Sequence, residues 1–138
     1  MKITNTSIKD LQVIEGKTFQ DERGAFSRLF CAEALAPILK HRKVLQINQS
    51  STRKVGTIRG MHYQMAPQAE MKIVRCIKGR VFDVAVDLRQ GSPTFLKSFA
   101  LELSPEKQTA VVIPEGCAHG FQVLEGNSEL LYLHTAYY

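Results

Sequence analysis

The chain has 138 residues, 44% of them apolar, which fits a single hydrophobic core of ordinary domain size. Its net charge of +5 is dispersed instead of gathered in a patch, so a small anionic ligand suits it and a nucleic-acid surface does not. No apolar run approaches the roughly 20 residues that cross a bilayer, and three cysteines (Cys31, Cys76, Cys117) without CxxC spacing point to reduced thiols. With an N-terminus, Met1-Lys2-Ile3-Thr4-Asn5-Thr6, that lacks the apolar centre of a signal peptide, these features predict a cytoplasmic protein with no membrane or nucleic-acid partner.

Along the chain the dominant period is two, not 3.6. Only residues 32–40 have helical character, and Pro37 interrupts them. The basic run Lys40-His41-Arg42-Lys43 reads as a solvated loop. Residues 44–50 read as a strand with Gln46 and Asn48 on one face. Residues 71–77 and 81–88 are two β-rich runs around Lys78-Gly79-Arg80, a hairpin turn by its composition. Further strands are expected at 98–103, 109–113, 121–124 and 129–135, separated by Gly-, Pro- and Ser-containing turns. Many short strands with regular punctuation predict an all-β fold, a β-sandwich or jelly roll.

The hairpin reading has a consequence for charge. A two-residue turn at Lys78-Gly79 or Gly79-Arg80 puts Lys72 and Asp83 on one sheet face, one or two cross-strand neighbours apart; a three-residue loop reverses that parity. The pair is either an oxyanion-stabilising lysine held charged by a carboxylate or an ordinary surface ion pair.

Two motifs carry chemistry. Gly56 is followed after five residues by His62, and Pro114-Glu115-Gly116-Cys117-Ala118-His119 has the form Pro-x-Gly-x-x-His. Both resemble the paired motifs of a cupin barrel. Where metal-binding cupins place a second histidine, this chain has Gln64, and a neutral amide is a poor donor for zinc, iron or copper. The expectation is therefore a metal-free, cofactor-free site for organic acid–base chemistry. A metal-dependent alternative would use His62, Glu70 and His119. Cys117, inside the second motif, reads as a small residue in a tight loop.

A wider resemblance joins these motifs. Phe19-Gln20-Asp21-Glu22-Arg23-Gly24, Gln46 to Ser50, Arg59 to Gln64, Lys72, Phe82 to Arg89, Gly91 to Phe95, Pro114 to Phe121 and Tyr132 together resemble, in order, the dTDP-4-dehydrorhamnose 3,5-epimerase family. The resemblance implies one metal-free cupin domain over residues 1–138, usually a homodimer, acting on a nucleotide-diphosphate-linked 4-keto-6-deoxyhexose at C3, C5 or both. It makes His62 the base, Tyr132 the acid and Lys72 the group that stabilises the enolate. Histidine suits the first role because it titrates near neutral pH, and tyrosine suits the second because it is protonated there.

By the same resemblance Arg23 and Arg59 hold the diphosphate and nearby groups, Gln46 and Asn48 contact the nucleotide side, and His119 lies near the sugar. Phe26 and Phe121 read as core packing. Arg28 stands where the family usually has a glutamate, which leaves the base of the nucleotide open. Typical members continue beyond the position of Tyr138 into a segment whose aspartate pairs with the catalytic histidine; within this chain Asp83 is the candidate to orient His62. An N-terminal segment long enough to reach a neighbouring sheet supports the dimer. The alternatives within this reading are a 4-keto sugar ketoisomerase or single-centre epimerase, and a non-catalytic sugar-nucleotide-binding cupin.

Overall fold

In a computed structural model covering residues 1–138, twelve strands and one turn of helix follow one another. They are β1 (Lys2–Asn5), β2 (Gln12–Glu15), β3 (Thr18–Asp21), β4 (Gly24–Ser27), α1 (Ala36–Leu39), β5 (Gln46–Thr52), β6 (Ile58–His62), β7 (Lys72–Lys78), β8 (Val81–Asp87), β9 (Ser98–Leu103), β10 (Thr109–Ile113), β11 (Cys117–Val123) and β12 (Ser128–His134). A six-stranded sheet in the order β1-β2-β10-β7-β12-β5 faces a four-stranded sheet in the order β6-β11-β8-β9. Strands β3 and β4 form a separate hairpin. The pairings are antiparallel. The architecture is the expected all-β sandwich of jelly-roll type.

The alternation of each strand decides what lies between the sheets. Val74 and Cys76 of β7, Val111 and Ile113 of β10 and Leu130 of β12 meet Val81, Ala85, Leu103, Cys117, Phe121 and Val123 from the other sheet in one buried cluster. Each such aliphatic side chain contributes about 1.5–3 kcal/mol on burial. With a period of two, Lys72 then faces inward with Val74, Tyr132 and His134 face inward with Leu130, and Asp83 does so between Val81 and Ala85. A second cluster covers the outer face of the large sheet, where Ile73, Ala110, Val112 and Leu133 pack under Leu35, Ile38 and Leu39. Strand β7 is thus buried on both faces, which is why it reads as a nearly continuous apolar run.

Four sequence readings are corrected. First, the runs around Lys78-Gly79-Arg80 do not pair; β7 and β8 belong to different sheets. The turn is a corner between layers. Gly79 takes a positive φ of 78°, a Cβ there would collide with the Ser128 side chain, and the Arg80 amide donates to Ser128 Oγ at 3.1 Å. Lys72 and Asp83 do face one interior, but from opposite sheets. Second, Pro37 opens the helix instead of interrupting it: it occupies the first turn of α1, where its missing N–H leaves no bond unmade.

Third, the N-terminal segment up to Glu15 is used within the chain's own sheet, and only the separate hairpin that carries Phe19 stands apart from it. β1 pairs with β2 and β2 with β10, extending the chain's own sheet. Fourth, Phe26 is not core. It pairs with Phe19 across the β3–β4 hairpin, and the two are 72% and 66% exposed.

Beyond β8 the buried carboxylate of Asp87 clamps the following loop. It accepts hydrogen bonds from Arg89 Nε at 2.9 Å, Ser92 Oγ at 2.6 Å and Thr94 Oγ1 at 2.6 Å. Burial alone would raise its pKa, but these donors win and hold it well below the usual carboxylate range. The stability it contributes is therefore present above the unfolded carboxyl value and is lost only as pH falls towards the depressed folded value. Asp87→Ala should lower unfolding free energy by about 2–3 kcal/mol in urea titrations, because it removes the anion that Arg89, Ser92 and Thr94 share and leaves Arg89 only the Lys9 carbonyl and Asp10.

Candidate active site

One end of the interior is not filled by side chains. A cavity of about 690 Å³ opens there between the sheets. Strand β5 brings Asn48 and Ser50 to it, β6 brings Arg59 and His62, β7 brings Lys72, β11 brings His119, and β12 brings Tyr132 and His134. Strand β6, which ends the first motif, lies tightly on β11. Gly60, at φ 129°, sits so close to Gly120 that a Cβ would come within 2.6 Å of the Gly120 Cα. That contact sets His62 opposite His119 and Arg59 opposite Phe121, with a register irregularity between them.

Polar side chains in the cavity are largely committed to one another. His119 Nε2 donates to Asp83 Oδ2 at 2.8 Å, both groups buried, which leaves Nδ1 of the neutral ring as an acceptor. On the facing sheet His134 Nδ1 donates to Glu70 Oε2 at 2.7 Å, again buried. His134 Nε2 lies 3.3 Å from Asn48 Nδ2, and Asn48 Oδ1 accepts from Gln46 Nε2 at 3.2 Å. The Tyr132 hydroxyl is 3.0 Å from Ser50 Oγ. Its ring meets His119 edge-on at 6.5 Å and stacks on His134 at 6.0 Å.

Burial tunes two of these groups. It pushes the Tyr132 phenol above its ordinary pKa, against the bond to Ser50 and the charge of Arg59. It pulls the Lys72 ammonium below the usual lysine value, against the opposing charges of Glu70 and Asp83. A buried lysine between two carboxylates, a protonated phenol and a histidine at the mouth together make a site able to take a proton from carbon, stabilise the resulting oxyanion and return a proton.

Of the residues expected from the sequence, His62, Lys72, Tyr132, Arg59, Asn48 and His119 all line this cavity. Gln46 stands behind Asn48 and bonds it. Asp83 does not orient His62. It lies on β8 with β11 between it and β6, and its carboxylate is taken by His119. Arg23 is elsewhere: it sits beside the turn of the β3–β4 hairpin, ion-paired with Asp21 at 2.7 Å, in a shallow depression lined by Phe19 and Phe26.

The sequence reading missed His134 and weighed Glu70 only as a metal ligand. Period two would have found His134, two residues after Tyr132 on the same strand. Glu70 and His119, ligands in the metal-dependent alternative, are each bonded to a different side chain, and no three His, Cys, Asp or Glu side chains are grouped to hold a metal ion.

The sequence model of the family described as dTDP-4-dehydrorhamnose 3,5-epimerase matches residues 5–138. A protein of that name from Shigella flexneri is 42% identical over 139 residues, which cover all of this chain and 76% of that protein. The crystal structure of a dTDP-6-deoxy-D-glucose-3,5-epimerase from Legionella pneumophila Philadelphia 1, in complex with dTDP-4-keto-L-rhamnose, superposes with a TM-score of 0.93 at 42% identity, covering 99% of this chain and 72% of that one. A 3'-monoepimerase from Streptomyces bikiniensis, in complex with dTDP-quinovose, gives a TM-score of 0.91 at 31% identity, covering 98% and 68%. With the resemblance carried by the whole chain and by the fold, this protein belongs to the dTDP-4-dehydrorhamnose 3,5-epimerase family.

Proposed function

We propose that the chain is an isomerase that epimerises a nucleotide-linked 4-keto-6-deoxyhexose at C3, C5 or both. The observation that supports this best is the placement of two groups across one cavity: His62 comes from the four-stranded sheet and Tyr132 from the six-stranded sheet. A sugar ring seated between the sheets meets a base on one face and a proton donor on the other. The C4 carbonyl acidifies the neighbouring C–H bonds. His62 takes the proton, the C–H electron pair becomes the enolate double bond, and the carbonyl π pair moves to oxygen. Lys72 stabilises that oxyanion. Tyr132 then gives its proton to carbon from the opposite face, and both groups re-equilibrate with solvent.

Arg59, which lines the cavity, suits the diphosphate. His119, held by Asp83, presents an acceptor towards the sugar. Incubating the protein with dTDP-4-keto-6-deoxyglucose in deuterated water and reading C3 and C5 by NMR tests the proposal. Exchange at two positions supports the 3,5-epimerase; exchange at one supports the single-centre reading that the Streptomyces bikiniensis relative illustrates. Binding without exchange would leave a non-catalytic sugar-nucleotide-binding protein.

The assembly we propose is a homodimer. The exposed Phe19 and Phe26 on the hairpin need cover that their own chain does not give, and Arg23 beside them lies outside its own cavity. A second copy supplies the cover, and Arg23 then serves the neighbouring cavity. Light scattering at micromolar concentration should show a dimer, and Phe19→Ser with Phe26→Ser should give a monomer with weakened nucleotide binding. A wild-type monomer would overturn this assembly.

A further inference from the structure

Three polar side chains that line the cavity, Glu70, His134 and Asn48, form a single directed chain with Gln46 behind them. The Glu70 carboxylate only accepts, so His134 must donate to it from Nδ1. Nε2 of the neutral ring is then an acceptor, and it takes an N–H from Asn48 Nδ2. Asn48 Oδ1 accepts from Gln46 Nε2, and Gln46 Oε1 accepts from the Tyr138 backbone N–H at 3.3 Å. Each bond fixes the sense of the next. Turning the Asn48 amide over would set its oxygen against the lone pair of His134 and its N–H donors against the N–H of Gln46. His134 itself is locked by its stacking on Tyr132 and by burial.

The chain leaves a defined set of groups unused. Asn48 and Gln46 each retain one N–H and one lone pair, and of the two only Asn48 lines the cavity, so the chain of bonds fixes which edge of the Asn48 amide is presented there. We infer that Glu70 and His134 are positioning residues that fix the Asn48 amide, with Gln46 bracing it from behind, so that the free Asn48 N–H serves an acceptor oxygen of the nucleotide diphosphate. This rests on the nucleotide-sugar reading above and adds to it a pair that acts through the amides without meeting the reacting carbon. Glu70 has a second effect, since its charge also faces Lys72. His134 is therefore the cleaner place to intervene.

The test uses the whole chain and dTDP as probe. Nitrogen-15 NMR at neutral pH should find His134 as the Nδ1–H tautomer, with the Asn48 side-chain amide protons protected from water exchange and that protection lost in His134→Phe. His134→Phe, which keeps the stacking, should weaken dTDP binding about tenfold and raise KM by a similar factor with little change in kcat. His134→Gln, which can accept from Asn48 and donate to Glu70, should restore most of that loss. Asn48→Ala combined with His134→Phe should bind no more weakly than Asn48→Ala alone.

An Nε2–H tautomer in the wild type, or additive losses in the double variant, would overturn the proposal. So would a fall in kcat at constant KM, which would make His134 an acid–base group. Failure of the wild type to bind dTDP would instead remove the nucleotide-sugar reading, and the tautomer and amide protection would still decide how the amides are held.

Discussion

His62→Ala should reduce solvent-deuterium incorporation into the substrate by about 10²–10⁴-fold while dTDP affinity stays close to wild type. The loss is chemical because His62 is exposed at the mouth and belongs to neither buried cluster. Tyr132→Phe should separate the two halves of the reaction. It removes the hydroxyl and keeps the ring between His119 and His134. The enolate still forms, and exchange by return of a proton to the original face survives, while inversion falls sharply. The two variants differ because the base creates the enolate and the acid only traps it from the other side. The measurement is NMR of deuterium content beside a chiral assay of product. Equal loss of exchange and inversion in Tyr132→Phe would reverse the assignment of base and acid.

The parts of the fold that were legible in the sequence are those where one physical signal dominates. Strands β9 and β10 begin and end where alternation and the flanking turns put them, and β8 runs to within a residue of its expected end. The short strands β1 to β4 escaped because four polar-rich residues carry too little alternation to rise above loop. β6 was recognised as a motif and not as a strand, since all its residues are exposed. The corner at Gly79 has the composition of a hairpin turn, and composition cannot distinguish a turn within a sheet from a crossing between sheets.

That same ambiguity explains the fate of the site residues. Lys72 and Asp83 share an interior because both strands alternate towards it, so parity alone was informative even though the pairing was not. Asp83 was matched to the wrong histidine because the order β6-β11-β8, which puts His119 in between, depends on long-range pairing that no local pattern encodes. Arg23 fits the cavity by motif but not by place. A local motif does not encode where the hairpin that carries it lies relative to the cavity.

Lys72→Met should slow both exchange and inversion by about 10²–10³-fold, because it removes the only buried ammonium facing the developing oxyanion and leaves its stem volume in place. The pH dependence gives an independent signature. Burial lowers the Lys72 pKa below that of an ordinary lysine, with Glu70 and Asp83 opposing that fall only in part. If the ammonium is the active form, activity is present below that folded value and is lost as pH rises through it, so the alkaline limb begins below the ordinary lysine range. Burial moves Tyr132 the other way, above the ordinary phenol value, so the two ionisations are displaced in opposite directions and Lys72→Met tells which of them sets the limb. In Lys72→Met the residual activity should therefore lose the early limb and persist to higher pH. An unchanged alkaline limb in that variant would show that another group governs it, and would leave the oxyanion without the charge assigned to it.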